Sequence, residues 1–285
     1  MVRTISKISS LYASPAILES TPKPLNMTYH RVSSSISNFK ERIEKKYGYL
    51  PWRIFPKKGG RTIFFGMYHI GDYLRYIFTF GNKTVFWMGS DILKLTPLKA
   101  WLVRNAEHRC ENNVEDEALL QFGIDAIVQP VFFGDPTKFR PEFRQDGSKK
   151  VHAYLSAHKG REEEYGVFKV IAKAKDLPSV VFHIYGIEDN CDCNKPKNVI
   201  FHGKVSEEQF NKEIQNYHIA LRFNEFDGFS DILAKSALLG QYQYSAIKYP
   251  HMFSGKQWGR CLRHVVKAKK NNKQAWEFWH HTLSQ

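Results

Sequence analysis

The sequence predicts an α/β protein of two Rossmann-like lobes that face each other across a cleft. Three observations carry that expectation. From residue 61 onward, short apolar runs alternate with helix-like segments, the arrangement that parallel sheets impose. The chain has 285 residues, too many for one minimal domain and suited to two lobes. Its composition is globular, 42% hydrophobic and 25% charged, and no uninterrupted apolar run is long enough to span a bilayer.

The elements follow in order. Residues 1–60 read as a basic extension whose start, MVRTISKISSLYASPAILESTPKP, lacks the sustained apolar core of a secretory signal. Ser-rich and acid-poor, it faintly resembles an organelle transit sequence, and a loosely attached extension is the preferred reading. A first lobe is expected over 61–147. RTIFFGMYH (61–69) is a strand, GDYLRYIFTFG (71–81) a short helix, and KTVFWMGSDI (83–92) a strand running into a loop. Thr96 and Pro97 open a helix read as LTPLKAWLVRNAEHRC, because proline fits a first helical turn. ENNVEDEALLQFG (111–123) is a further helix and IDAIVQPVFF (124–133) a strand, and 134–150 is a Gly- and Pro-punctuated linker.

A second lobe is expected over 148–250. VHAYLS (151–156) is a strand, and REEEYGVFKVIAKAKDL (161–177) a helix with Phe168, Ile171 and Ala172 at helical spacing. SVVFHIYG (179–186) and NVIFHG (198–203) are strands, and Ser206 with Gln209 has the spacing of a capping box. HIALRFN (218–224) is a strand, 229–239 a helix and QYQYSAI (241–247) a strand, and 251–285 is a basic helical segment packing back on the body.

The net charge of +14 is concentrated at the ends. Residues 1–61 carry 12 Lys and Arg against 3 acids, and residues 248–285 carry 8 against 1. Such ends suit a phosphate-rich partner, DNA or an anionic membrane surface, and equally suit solvated tails. The four cysteines form no disulfide framework in a chain this size, and Cys191-Asp192-Cys193 lacks the second pair that zinc needs. Reduced thiols and a cytoplasmic location, with or without peripheral membrane association, are expected.

Candidate chemistry gathers where strands lead into helices, since ligands of open parallel sheets bind outside the carboxyl ends of strands and helix N-termini attract phosphate. In the segment 222–230, Gly228 permits close backbone approach, and the amides of Phe229 and Ser230 open a helix. An ordinary helix start capped by Asp227 or Ser230 explains the same residues. In 155–166, Lys159 and Arg161 flank a glycine, suited either to phosphate or to pairing with Glu162, Glu163 and Glu164. In 86–93, Asp91 is a possible general base together with His69 and Asp72, while Asp91 is also a plain N-cap candidate.

Taken together, these segments resemble in order the GT-B glycosyltransferases, specifically the large retaining family 4-like class (glycosyl transferases group 1). FHIYG, NVIFHG and the capped helix match its donor lobe, Asp227-Gly228-Phe229 matches its acidic-Gly-Phe-Gly motif, and Gly240 falls at that motif's terminal glycine. TVFWMGSDIL and ENNVEDEALLQFGIDAIVQPVFF resemble its first lobe, which is short here, with the strands normally preceding residue 61 missing or replaced.

The resemblance implies transfer of a sugar from a nucleotide-diphosphate sugar, with retention, to a lipid or polysaccharide precursor or a modified DNA base. The donor diphosphate would be held by Lys159 or Arg161 with the amides at Gly228, Phe229 and Ser230, beside Gly186 and Gly203. Asp227 would approach the transferred sugar, with Asp91 and His69 on the first-lobe side. No metal or other cofactor is implied. Two positions depart from the family: Met88 stands where a histidine is usual, and Lys235 stands in place of a ribose-contacting glutamate. Lysine offers only donors and positive charge. The alternative reading is a non-catalytic relative that binds nucleotide or nucleic acid.

Overall fold

Every strand pairing among the described residues is parallel, and the strands make two six-stranded sheets. The structure is a computed structural model describing residues 27–57, 59–141, 150–189, 195–255, 258–268 and 271–284. It divides into two units. The first runs through Asp135 and includes Phe226–Phe229, and the second takes Pro136–Glu225 and Ser230–Ser284.

The first sheet contains β1 (Thr28–Val32), β2 (Leu50–Pro51), β3 (Arg61–Phe65), β4 (Asn82–Phe86), β5 (Glu107–Cys110) and β6 (Ile127–Val128), in the order β2-β1-β3-β4-β5-β6. Its helices are α1 (Lys40–Tyr47), α2 (Ile70–Phe78), α3 (Pro97–Val103) and α4 (Asn113–Leu120). The expectation that strands before residue 61 are missing is therefore wrong. β1 lies inside the stretch read as an extension and pairs residue for residue with β3 from Thr28↔Arg61 to Val32↔Phe65. Its interior His30 and flanking Arg31 disguise it as basic surface. His30 is nevertheless buried, with its ring nitrogens on the Leu50 carbonyl and the Glu44 carboxylate.

A second correction concerns 95–110. The helix opened by Thr96 and Pro97 ends at Val103, and Glu107–Cys110 is strand. The residues alternate there, with His108 and Cys110 buried between partly exposed Glu107 and Arg109, a period of two that no helix supports. The strand expected over 124–133 is reduced to two residues. Pro130 has no N–H to extend the ladder, and Val131 and Phe133 turn into a cluster with Phe65 and Phe86.

The second sheet contains β7 (Val151–Ser156), β8 (Val180–Tyr185), β9 (Val199–Gly203), β10 (Ile219–Arg222), β11 (Tyr242–Ser245) and β12 (Phe253–Ser254), ordered β12-β11-β10-β7-β8-β9. Its helices are α5 (Val167–Ala174), α6 (Glu207–Ile214), α7 (Asp231–Leu238), α8 (Trp258–Ala268) and α9 (Lys273–Leu283). α5 is shorter than the sequence suggested because Gly166 is left-handed (φ +77°) and a Cβ there would strike the Phe223 ring. Val167, Val170 and Ala174 face the core, and Phe168 is largely exposed. Only half of the expected capping box forms. Ser206 Oγ accepts from the Gln209 amide at 3.1 Å, while the Gln209 side chain donates onward to Glu213. α9 packs on α7, with Trp279 fully buried and its indole N–H on the Pro250 carbonyl. Cys110 and Cys261 are buried cysteines outside any disulfide, and Cys191 and Cys193 lie outside the described residues.

An imidazole column crosses the second sheet. His152 on β7, His183 on β8 and His202 on β9 are linked nitrogen to nitrogen at 2.9 Å per step, and Tyr217 stacks on His183 at 4.3 Å. Burial first, then the neighbouring imidazoles, push His183 down to about 3. A depressed histidine contributes stability that is complete above its unfolded value near 6.5 and is lost as pH falls from there to about 3. Urea midpoints measured between pH 7.5 and 4.5 should therefore fall more steeply for the native chain than for His183→Gln. Parallel pH profiles would show that the column does not titrate as described.

Candidate functional site

A doubly wound sheet opens a crevice where its strand order reverses. In the second sheet that point lies between β7 and β10, so the loops 157–166 and 223–230 flank it, with the ends of β8 and β9 alongside. The predicted residues Lys159, Arg161, Gly186, Gly203, Ser230 and Lys235 all belong to this unit.

Lys159 is exposed on the turn ahead of Gly160, whose φ is +83° and whose amide donates to Glu162. Arg161 is engaged by its neighbour. Its Nε and Nη2 both meet the Glu164 carboxylate, and its guanidinium lies 5.3 Å from the Tyr165 ring centroid. Arg161 foremost holds Glu164 below the usual carboxylate range, and Asn224 also donates to Glu164 at 2.7 Å. Arg222 covers Tyr165 at 4.6 Å. The local pairing read from the sequence thus forms for Arg161 and leaves Lys159 outermost on the loop. Gly186 (φ +89°) donates its amide to the Gly203 carbonyl at 2.7 Å, and a Cβ on Gly186 would strike the Ala157 carbonyl. These two glycines let the ends of β7, β8 and β9 close together. Ser230 occupies the N-cap position of α7 and accepts the Leu233 and Ala234 amides on its carbonyl, each at 3.0 Å.

Lys235 is not the surface lysine that its helix position suggests. It is 4% exposed, its Nζ lies 3.0 Å from Glu207 Oε1, and its charge faces the rings of Phe210 and Phe139 at 5.6 and 5.9 Å. Glu207 begins α6, where a carboxylate also suits the helix dipole. The sequence held no hint of this partner, because 28 residues separate the pair.

In the first unit the order reverses between β1 and β3, and His69 follows β3. His69 is exposed, its Nε2 lies 2.7 Å from Ser35 Oγ, and its amide donates to Asp72. Asp72 is buried and also accepts from Ser33, so it ties the loops after β1 and β3 together. Asp91 is wholly buried and accepts the amides of Met67, Met88 and Ile92 between 2.9 and 3.1 Å. Burial still pushes its carboxyl up to about 7 against those three donors. Its geometry is that of a hub fixing the loops after β3 and β4. Met88 lies between them, its carbonyl accepting from the Tyr68 hydroxyl.

Asp227, Gly228 and Phe229 group with the first unit, where they meet two residues that sequence reasoning passed over. Asn112 Nδ2 donates to the Asp227 carbonyl at 2.7 Å, and the Phe229 amide donates to Glu111 Oε2 at 3.1 Å. Asn112 Oδ1 caps α4 through the amides of Val114 and Glu115. Gly89 (φ +88°) lies against Gly228, and a Cβ on Gly89 would sit 2.7 Å from the Gly228 nitrogen. Glu115, buried behind Glu111 and accepting its amide, is raised well above the usual range by burial and then by the Glu111 charge. The signal for Glu111 and Asn112 was available. They follow the alternating residues of β5, at the same sheet edge as His69 and Asp91.

No protein-family model and no curated protein matches the chain in sequence. Solved structures do match. The Anabaena protein HepE in complex with UDP-glucose superposes with a TM-score of 0.61 at 8% identity, covering 90% of this chain and 95% of that one. The lipopolysaccharide outer core galactosyltransferase WaaB in its apo form gives 0.56 at 12% identity, covering 90% and 95%. TarM gives 0.55 at 14% identity, covering 86% of this chain, which spans only 53% of TarM's length. These neighbours are GT-B glycosyltransferases. The chain, with its two parallel six-stranded sheets, has the GT-B glycosyltransferase fold.

Proposed function

We propose that the chain transfers a sugar from a nucleotide-diphosphate donor, and that the donor's diphosphate lies at the order reversal of the second sheet. The observation that carries this reading is the convergence there of exposed Lys159, the Gly186 and Gly203 strand ends and the start of α7. Several structural neighbours were solved with UDP or UDP-glucose, which supports a nucleotide sugar as the donor class.

Lys159 neutralises the diphosphate, and Arg161 contributes to the extent that the phosphate replaces Glu164 as its partner. The Ser230 and Asp231 amides, at the positive end of α7, receive phosphate oxygens. Asp227 faces the transferred sugar. Within the first unit, Asp91 holds the Met67 and Met88 amides in place. Because Met88 has no proton to exchange, the acceleration comes from positioning and from stabilising the departing diphosphate, the route compatible with retention. Cations of the chain and helix amides supply the neutralisation, so no metal enters the proposed scheme.

Turnover of a panel of nucleotide sugars tests the proposal, and a chain that neither hydrolyses nor binds any of them would sink it. Binding without turnover would favour a non-catalytic nucleotide binder, a reading that the paired Lys235 also accommodates. By calorimetry, Lys159→Ala should weaken nucleotide-diphosphate binding about 5- to 30-fold, or ~1–2 kcal/mol, as expected for one charge-assisted contact at an exposed site. Arg161→Ala should do less, and Glu164→Gln should tighten binding by releasing the guanidinium.

Glu111 already accepts the Phe229 amide, so its charge opposes any phosphate drawing near that segment. Glu111→Gln keeps an acceptor and removes the charge, and should raise nucleotide-diphosphate affinity. Unchanged or lower affinity would remove Glu111 from the donor's surroundings.

Lys235 cannot be exchanged alone. Lys235→Glu sets a second carboxylate against Glu207 and should lower stability by about 2–4 kcal/mol. Adding Glu207→Lys should recover most of that loss, as read from denaturant midpoints of the double-mutant cycle.

A further inference from the structure

We infer that the α2–α3 face of the first unit docks on an anionic phospholipid bilayer. The face is built inside out. α2 turns Tyr73 and Tyr76 inward and leaves Ile70, Leu74, Ile77 and Phe78 exposed, an i, i+4, i+7, i+8 stripe that would ordinarily be the core side of a helix. Ile70 is 65% and Phe78 60% exposed. α3 packs beside α2 and adds Leu98 and Trp101, exposed by 66% and 56%. Past the end of α2, the rings of Phe55 and Phe80 stack on each other at 5.0 Å and both remain exposed, held by the Phe80 amide on the Ile54 carbonyl. A stripe of this kind spread over two neighbouring helices and a loop exceeds the scattered apolar residues of an ordinary surface.

The charge around it selects the occupant. From Leu50 to Arg104 the sequence has nine Lys and Arg and two acids, Asp72 and Asp91. Both acids are buried and bonded inward, so this stretch shows cations and no carboxylate to solvent. Lys94 and Arg104 are exposed at the two ends of α3 and its lead-in, and Arg104 lies over the Trp101 ring at 5.2 Å. Lys99 bridges to the Tyr73 ring of α2 at 5.4 Å. Apolar and aromatic side chains rimmed by charge of one sign match the boundary between acyl chains and anionic headgroups. A second copy docking face to face would need a complementary acidic rim, and the described residues from Leu50 to Arg104 expose no carboxylate. Among the described residues, no helix is long and apolar enough to cross a membrane. The inference stands on this surface and does not depend on the sugar-transfer reading.

Flotation of the full chain with neutral phosphatidylcholine vesicles and with vesicles containing 30% phosphatidylglycerol, by design of the assay, tests it. Binding should require the anionic lipid and weaken with salt. Leu74→Ser with Phe78→Ser should reduce it at least about tenfold, since each removes an inserted apolar side chain. Lys94→Gln and Arg104→Gln should each reduce it about fivefold, the worth of one cation at such a surface. These side chains are exposed, so unchanged circular dichroism and melting of the variants will confirm intact folding. Brominated lipid should quench the native chain more than Trp101→Phe. No binding to anionic vesicles would overturn the inference, as would binding indifferent to the two serine substitutions. It would fail equally if those substitutions abolished only self-association, or only binding to DNA.

Discussion

In a sheet whose strands all run the same way, each strand must be reached by a crossover, and all carboxyl ends fall on one edge. The rest of this molecule depends on that constraint. It sends the chain through a helix at most of its crossovers, as between β3 and β4 or β7 and β8, and collects the loops after β1, β3, β4 and β5 in the first unit, and those after β7 to β10 in the second. Residues far apart in sequence then become neighbours at the edge, such as Ser33 and Asp72, or Glu164 and Asn224. The order reversal in each sheet decides which of these loops are splayed and therefore accessible.

Electrostatics at those edges is dominated by charges that already have partners. Arg161 holds Glu164, Lys235 holds Glu207, and Asp91 is committed to three amides. A buried charge without a partner costs several kcal/mol, so this sequence supplies each with a mate from its own unit. In the proposed scheme, ligand recognition becomes an exchange of partners, with affinity set by the difference between the incoming phosphate and the carboxylate that it replaces. Exposed Lys159 escapes that exchange because its charge stays solvated.

The second sheet was legible chiefly at β8 and β9, apolar runs that meet glycine at Gly186 and Gly203, where FHIYG and NVIFHG place them. The first sheet was less so. β1 carries His30 and Arg31, and β5 is four residues of Glu, His, Arg and Cys, so neither has the composition of a buried strand; period-two burial marks β5, and full pairing with β3 marks β1. Among the candidate site residues, Gly228, Ser230 and Lys159 were singled out from local motifs. The contact of Lys235 with Glu207 had no local signature, and Glu111 was marked only by its place at the end of β5, not by its partner, the Phe229 amide. The exposed stripe on α2 was visible as a helical period, but the period alone does not say which side faces the core.

The segment Phe226–Phe229 also has a consequence in time. Phe226 packs on the core of the first unit and Asp227 bonds to Asn112, yet both are made about ninety residues after Asp135. During synthesis, the contacts of Phe226 and Asp227 form only after most of the second sheet has been translated, so the first unit is completed by a segment that the ribosome delivers late.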